Sequence, residues 1–462
     1  MMPDADVAVL GGGLAGLTAA AELTAAGRRT VVFEALPEVG GLSRTVVHDG
    51  FRFDLGGHRF HTRMAPVDAW FRARLDGCLL DVVRRSRICL RGRYVTYPLE
   101  FPNALRAFSL AGSVQVLASY GLSALRGTNG RPDRSFEEWI VRRYGRSLFK
   151  VYFKPYTEKV WGLPCDAISA DWASNRIRSP SLAAVLKGAL LPRSRSAALR
   201  ISRFLYPTEG IGILADRLRR DIEAGGTGRV CTSARVTALR PGGADGAWRV
   251  EWTDGDGSAH TAVARDVVYT LPLTLLPSLL PPELSPPEVG AAAAALAYRG
   301  LVCVFLALKG RPLSGDTWTY FPDPELTLGR IHEPVNWSAR MAPDGSASVC
   351  AEIFSSPGET LWGRGDGELI DTVSRELARV GLLTADRISG AWVAREPHAY
   401  PVYRIGYAEP LKRLVDHAGN LRGLHLCGRT GRFRYLNMDG VLDDGMAVAR
   451  TVVQGGPAQG LA

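Results

Sequence analysis

Gly11, Gly13 and Gly16 stand at GxGxxG spacing, and Glu34 follows 23 residues after the first of them. Glycines at those steps let the backbone turn sharply and approach a pyrophosphate. The helix that follows then points its N–H groups at the phosphates, and the acidic residue accepts from ribose hydroxyls. A second glycine turn, Gly40–Gly41, with Arg44 close behind, can bring backbone and a guanidinium to the same phosphates. Further on, LGGHRFHTR (55–63) sets His58 behind a glycine pair and His61 three residues later. That spacing suits a zinc ligand pair, or a loop laid against a cofactor ring. The dinucleotide itself is NAD(P) or FAD at this point.

The elements that must position these residues follow from the pattern. Residues 5–10 read as a strand, 15–25 as an Ala-rich helix and Thr30–Phe33 as a second strand. Residues 66–130 read mostly helical, and within them 104–127 reads as a buried helix rather than a membrane or partner contact. Residues 135–162 read as an amphipathic helix running into a turn. The basic stretch 180–204, broken by Pro192, reads as an exposed connection or lid. A helix over 210–226 precedes an antiparallel hairpin and a buried strand over 266–273. YRGLVCVFLALKG and SASVCAEIFS read as sheet strands, and the C-terminal segment as strand, glycine turn and helix.

With these elements in place, the chain resembles the FAD-dependent superfamily of amine oxidases, protoporphyrinogen oxidases and phytoene desaturases. The carriers are the GxGxxG with Glu34, the Gly40–Gly41 doublet and the terminal Gly428–Arg429 turn. Within it the resemblance is to UDP-galactopyranose mutases. Gly57-His58-Arg59-Phe60-His61-Thr62 is similar to their GH-x-FHT stretch, Tyr156 to Gly162 to YT-x-K-x-WG, and Arg330 to Glu333 to an R-x-x-E strand. Tyr400-Pro401 is similar to their YP turn, and Gly428 to Gly431 with Tyr435, Met438 and Asp439 to their terminal motif. Phe433 stands where they carry a tyrosine, and Asn437 where they carry an aspartate.

The resemblance implies an α/β fold in which a discontinuous, Rossmann-like FAD-binding domain (1–75, 208–270 and 405–462) is interwoven with a substrate domain. That domain comprises a helical subdomain (76–207) and a mixed antiparallel sheet (271–404). It implies His58 packed on the flavin ring near N5, where the stretch supplies no further zinc ligand. It places Met438 and Asp439 beside the flavin, Gly428–Arg429 at the pyrophosphate or ribityl chain, and Val236 at the adenine. Arg330, Tyr400 and Tyr435 would hold a diphosphate. Arg178 would be a mobile-loop arginine, and Tyr156 and Trp161 would meet the substrate, Trp161 near the uracil. His58 and Arg330 are the implied catalytic residues.

The implied activity is pyranose–furanose isomerisation of a nucleotide-diphosphate sugar at N5 of reduced flavin, with NAD(P)H a candidate external reductant and a homodimer a candidate assembly. Two other readings stand beside it. One is an FAD-dependent oxidoreductase passing hydride from substrate to flavin. The other is a flavin-containing binding protein without turnover.

Composition narrows the partners. The net charge of +10 comes almost wholly from arginine, which suits anionic small molecules. No Lys/Arg run resembles a nucleic-acid tail. Apolar content of 46% and charged content of 22% are those of a globular protein. Seven scattered cysteines without a CxxC pair read as reduced thiols. Without a signal peptide or a membrane-length apolar run, the expected location is the cytoplasm.

Overall fold

A computed structural model describes residues 4–90, 92–97, 115, 118–123, 131–174, 203–242 and 246–456. Arg178, most of 104–127 and residues 180–202 lie outside the described residues.

The strand Ala5–Leu10 runs parallel to Thr30–Phe33 on one side and to Ala259–Tyr269 on the other. Gly228–Cys231 extends the sheet beyond Thr30–Phe33, and Leu424–Leu426 pairs parallel with the end of Ala259–Tyr269. Two antiparallel strands, Arg235–Pro241 and Trp248–Thr253, complete it as the expected hairpin. Parallel strands joined by crossovers need both faces covered. Helices Leu14–Ala25, Gly212–Ala224 and Met438–Val453 bury Leu17, Leu218, Ile222 and Leu442 on one face. Residues 273–296 and the helix Ala408–Gly419 cover the other with Leu273, Leu276 and Leu414. Residues 273–296 thus pack on the nucleotide sheet, although the sequence pattern groups them with the substrate sheet.

The second sheet is centred on Tyr298–Lys309, flanked antiparallel by Ile388–Pro401 and Ser346–Ile353. Eleven of the twelve residues of the central strand are buried, Arg299 among them, and its apolar run over 301–308 suits a strand covered on both faces. Arg330–His332 and Trp318–Tyr320 continue the sheet, and Ser86–Leu90 and Arg93–Thr96 close it. The helix Asp366–Arg379 packs Leu369, Val373 and Leu377 on one face. The helices Phe136–Tyr144 and Lys154–Trp161 form a separate aromatic cluster beside the sheet. Among the described residues no helix is long and apolar enough to cross a membrane.

Residues 79–96 correct the helical expectation. Leu79–Val83, Ser86–Leu90 and Arg93–Thr96 are strands, and Leu79–Val83 pairs antiparallel with Arg203–Pro207. The reason is local. Val82, Val83, Ile88, Val95 and Thr96 are β-branched, and Gly92 sits at φ +77° in the turn between two of the strands.

Asp54 ties three of these pieces together from a buried position. Its carboxylate accepts from Thr45 Oγ1 at 2.6 Å, Tyr206 OH at 2.7 Å and the Ile211 amide at 3.2 Å. Burial raises its pKa, and the hydrogen bonds oppose that rise. Asp54→Ala would strand three buried donors and is expected to lower unfolding stability by about 2–4 kcal/mol, read as a shift of the urea midpoint. A shift equivalent to less than about 0.5 kcal/mol would contradict the role given to Asp54.

Candidate functional site

The first glycine turn is built for close approach. Gly11 has φ +104°, and a Cβ on Gly16 would lie 2.2 Å from the Gly11 carbonyl oxygen. Gly16 therefore serves the packing of helix on strand and does not line the groove that the other glycines border. A Cβ on Gly13 would project into open space. The helix Leu14–Ala25 begins at Gly13 without a side-chain cap, and its first internal bond is Leu17 N–H to the Gly13 carbonyl. The preceding N–H groups are thus free to meet an anion. The second turn docks on the first: Gly40 N–H donates to the Gly12 carbonyl at 2.7 Å, and a Cβ on Gly41 would lie 3.2 Å from Gly13 Cα.

Glu34 lies at the end of its strand in the same groove. Its Oε2 accepts from Gly12 N–H at 2.7 Å and its Oε1 from Leu36 N–H at 2.9 Å. Val236 lines the groove beyond it, and the cavity measures about 470 Å³. The bared helix end, the open space at Gly13 and this acidic residue fit a dinucleotide. Arg44 lines the groove too, but its guanidinium is already held by Glu396 at 2.5 Å, Glu38 at 3.1 Å and the Gly41 carbonyl at 2.9 Å. Its charge is compensated by protein, so it braces the second turn.

A second cavity of about 270 Å³ meets the groove, and the two share Leu42, His58, Arg429 and Met438 in their linings. The His58 ring holds its Nδ1 3.1 Å from the Gly56 carbonyl oxygen. A carbonyl can only accept, so Nδ1 carries the proton and Nε2 is left as an acceptor. Burial, and then the Arg429 charge, push the imidazole pKa down to about 4. The glycine pair before it has its own explanation. Gly56 has φ +78°, and a Cβ on Gly57 would stand 2.3 Å from the Trp318 ring. Gly57 lines the second cavity and not the groove, next to His58, which borders both.

Gly428, at φ +82°, also borders the groove, and a Cβ there would meet Ala15 Cβ at 2.6 Å. Arg429 donates to the Leu436 carbonyl from Nε at 2.8 Å and Nη2 at 2.5 Å, and to the Ala399 carbonyl at 3.1 Å. All of these acceptors are neutral, so its charge stays available to the junction. Met438 and Asp439 open the last helix. Met438 faces both cavities, and Asp439 only the second.

The structure brings Arg330, Tyr400 and Tyr435 together on the second cavity. Arg330 pairs with Glu352 at 2.6 Å and donates to Tyr400 OH at 3.1 Å. Glu352 is fully buried, which opposes its charge, but Arg330 and His332 outweigh burial and hold its pKa at about 2. The Tyr400 and Tyr435 rings stack at 5.5 Å with a 15° tilt, and the Arg429 guanidinium lies 4.9 Å from the Tyr435 centroid. Phe433 is fully buried against Tyr298, so its missing phenol removes nothing from the cavity.

Trp161 and Tyr156 do not line that cavity. The indole of Trp161 is buried behind the tyrosines, 6.4 Å from Tyr400 and 6.5 Å from Tyr435, because its helix turns its aromatic end toward the sheet. Tyr156 meets Tyr320 edge-on at 5.7 Å. The same helix carries a residue that sequence reasoning missed. Lys159 Nζ donates to the carbonyls of Phe321, Asp323 and Leu328 at 2.7, 2.5 and 3.0 Å, and burial lowers its pKa to about 8. It staples the loop that leads into Arg330. The lysine inside YTEKVWG was the available signal. Arg84, Arg203 and Trp318 also line the second cavity unannounced by any motif, as do Arg59, at the variable position of the GH-x-FHT stretch, and Asn437 at the start of the last helix.

The fold has known counterparts. A crystal structure of reduced UDP-galactopyranose mutase superposes with a TM-score of 0.81 at 22% identity, covering 99% of this chain and 98% of that one. Putrescine oxidase bound to putrescine gives a TM-score of 0.66 at 16% identity, covering 97% and 99%. At such identities the likeness is one of fold. A probable UDP-galactopyranose mutase of Klebsiella pneumoniae is 24% identical over 166 residues, which span 35% of this chain and 42% of that protein. The match thus covers less than half the length of that curated relative. The family model for flavin containing amine oxidoreductases matches residues 14–453. The chain therefore belongs to the flavin-containing amine oxidoreductase family, whose members bind FAD.

Proposed function

We propose that this flavoenzyme acts on a nucleotide-diphosphate sugar and interconverts its pyranose and furanose forms. The carrying observation is the basic cavity that opens onto the junction at His58 and holds Arg330, Tyr400 and Tyr435 on one wall. The chemistry that a bound flavin brings to this reaction is nucleophilic, through N5 of its reduced form, with NAD(P)H a candidate source of electrons. In this reading Gly11, Gly13, Glu34, Gly40, Gly41, Val236 and Gly428 hold the dinucleotide.

The protein's own part is positioning and electrostatics. Glu352 fixes the Arg330 guanidinium, which in turn orients the Tyr400 hydroxyl. Both then face a diphosphate as donors. Arg429 and the N-terminus of the last helix set positive potential at the junction, which favours an anionic partner there. His58 stays neutral and offers Nε2 as an acceptor. Asp439, the acidic residue of the cavity lining, lies at that same helix start.

The second reading, an FAD-dependent oxidoreductase, is favoured by the family's own description. A cationic amine substrate fits poorly, because Arg59, Arg84, Arg330 and Arg429 line the cavity and would repel it. Dithionite-reduced protein supplied with UDP-galactopyranose should form the furanose isomer with no net change in flavin redox state. Reduction of the oxidised flavin by a substrate, with no isomer formed from any nucleotide sugar tried, would overturn the isomerase reading.

The low pKa of His58 gives a pH prediction. Moving it from 6.5 to about 4 means that the folded chain binds fewer protons there than the unfolded chain. The stability His58 contributes is complete above pH 6.5 and is lost as the pH falls toward 4. His58→Phe is expected to flatten that segment of the stability–pH curve, measured by urea unfolding at half-unit pH steps. Parallel curves for variant and wild type would refute a neutral, buried imidazole.

A further inference from the structure

The arginines of the second cavity differ in how their charge is met. Arg330 is matched by the ionised Glu352, and Arg203 by Asp81 at 2.8 Å. Arg59 has no hydrogen bond and no ion pair among the described residues; its guanidinium lies 5.5 Å from the Trp318 ring centroid. Arg84 has Ser86 Oγ at 3.2 Å and the Tyr97 ring at 5.0 Å, and no carboxylate among the described residues. The two are neighbours: burial first, and the Arg84 charge next, lower the pKa of Arg59. Placing two like charges together in a partly buried wall is unfavourable unless something anionic joins them.

Two more donors at this cavity point the same way. Trp318 Nε1 and Arg330 Nε are buried and have no hydrogen-bond partner among the described residues. Trp318 is a shared wall, since Arg330 also lies over its ring at 5.3 Å. The glycine pair explains how the wall forms. Gly57 presses its backbone on the indole, and the chain two residues later carries Arg59 across the ring.

We propose that Arg59 and Arg84, with Trp318 between them and Arg330, form an anion subsite that takes the phosphoryl oxygens of a diphosphate-bearing substrate. Besides Arg429 at the junction, the cavity-wall charge without a carboxylate partner among the described residues lies here, so these residues carry much of the electrostatic part of binding, while Arg330 and Tyr400 set orientation. The inference rests on the proposed sugar-nucleotide reading for the organic part of the substrate only. The anion chemistry stands on the arginines themselves.

The test is calorimetric titration of inorganic pyrophosphate into FAD-loaded protein at low ionic strength, with Arg59→Gln, Arg84→Gln and the double variant. Each single variant should weaken binding about ten-fold or more, and the double variant should abolish it. Pyrophosphate should raise the melting temperature of wild type and not that of the double variant. Without pyrophosphate, Arg59→Gln should melt at or above the wild-type temperature, because it relieves repulsion; a merely structural arginine would melt lower. Wild-type pyrophosphate affinity in both single variants would overturn the proposal. So would a variant that fails to fold, since an arginine without a carboxylate partner should not be needed for folding. A protein that binds pyrophosphate through Arg59 and Arg84 yet isomerises no nucleotide sugar keeps the subsite and removes the mutase reading. Isomerisation with pyrophosphate binding untouched by either substitution does the reverse.

Discussion

The contact between the first helix and the last is the constraint from which the rest of the site follows. Leu14–Ala25 and Met438–Val453 lie this close because Gly445 carries no side chain to separate them. A Cβ on Gly445 would stand 2.8 Å from the Ala15 carbonyl oxygen and 2.9 Å from Thr18 Cβ. This contact joins segments more than 400 residues apart and brings the first turns of both helices to the lining of the groove. Each end contributes partial positive charge and unpaired N–H groups. The groove and the cavity that adjoins it at His58 and Met438 arise from one packing decision.

Charge is distributed to match. Around the groove it is balanced within the protein: Arg44 is held by two glutamates, and Glu34 accepts from two backbone amides. At the junction it is not balanced, because among the described residues Arg429 meets carbonyls and the Tyr400 and Tyr435 rings but no carboxylate. Beyond the junction lies the basic cavity. The gradient runs from neutral scaffold to positive pocket, as a site for a polyanion requires. Buried ion pairs such as Arg330–Glu352 hold geometry more than they add stability. In that role a fully ionised Glu352 behind Arg330 makes physical sense.

Much of the nucleotide-binding half was legible in the sequence because its signals are local. The strand Ala5–Leu10, the strand Thr30–Phe33 and the hairpin that precedes Ala259–Tyr269 follow from runs, turns and alternation that a short window contains. Residues 79–96 were misread because Arg84, Arg85, Arg87 and Arg93, spaced among apolar residues, mimic an amphipathic helix until a partner sheet claims the strands. The assembly of Arg330, Tyr400 and Tyr435 followed from the family resemblance, since nothing local links three residues on separate elements. Trp161 was displaced by its own helix, whose apolar side faces the core. Gly16 and Gly57 proved to be packing glycines: sequence shows where a side chain is absent but not whether backbone, ring or ligand fills the space. Arg59 fills the variable position of its motif and Arg84 belongs to none, so only the lack of carboxylate partners among the described residues reveals them.

The account turns on where the flavin ring lies. A crystal structure of the FAD-loaded, reduced protein measures it directly. The ring is expected within about 4 Å of both His58 and Met438, with the cavity of Arg330 and Tyr435 opening onto its reactive edge. A ring that touches neither His58 nor Met438, or one walled off from Arg330, would contradict the arrangement on which every functional statement here depends.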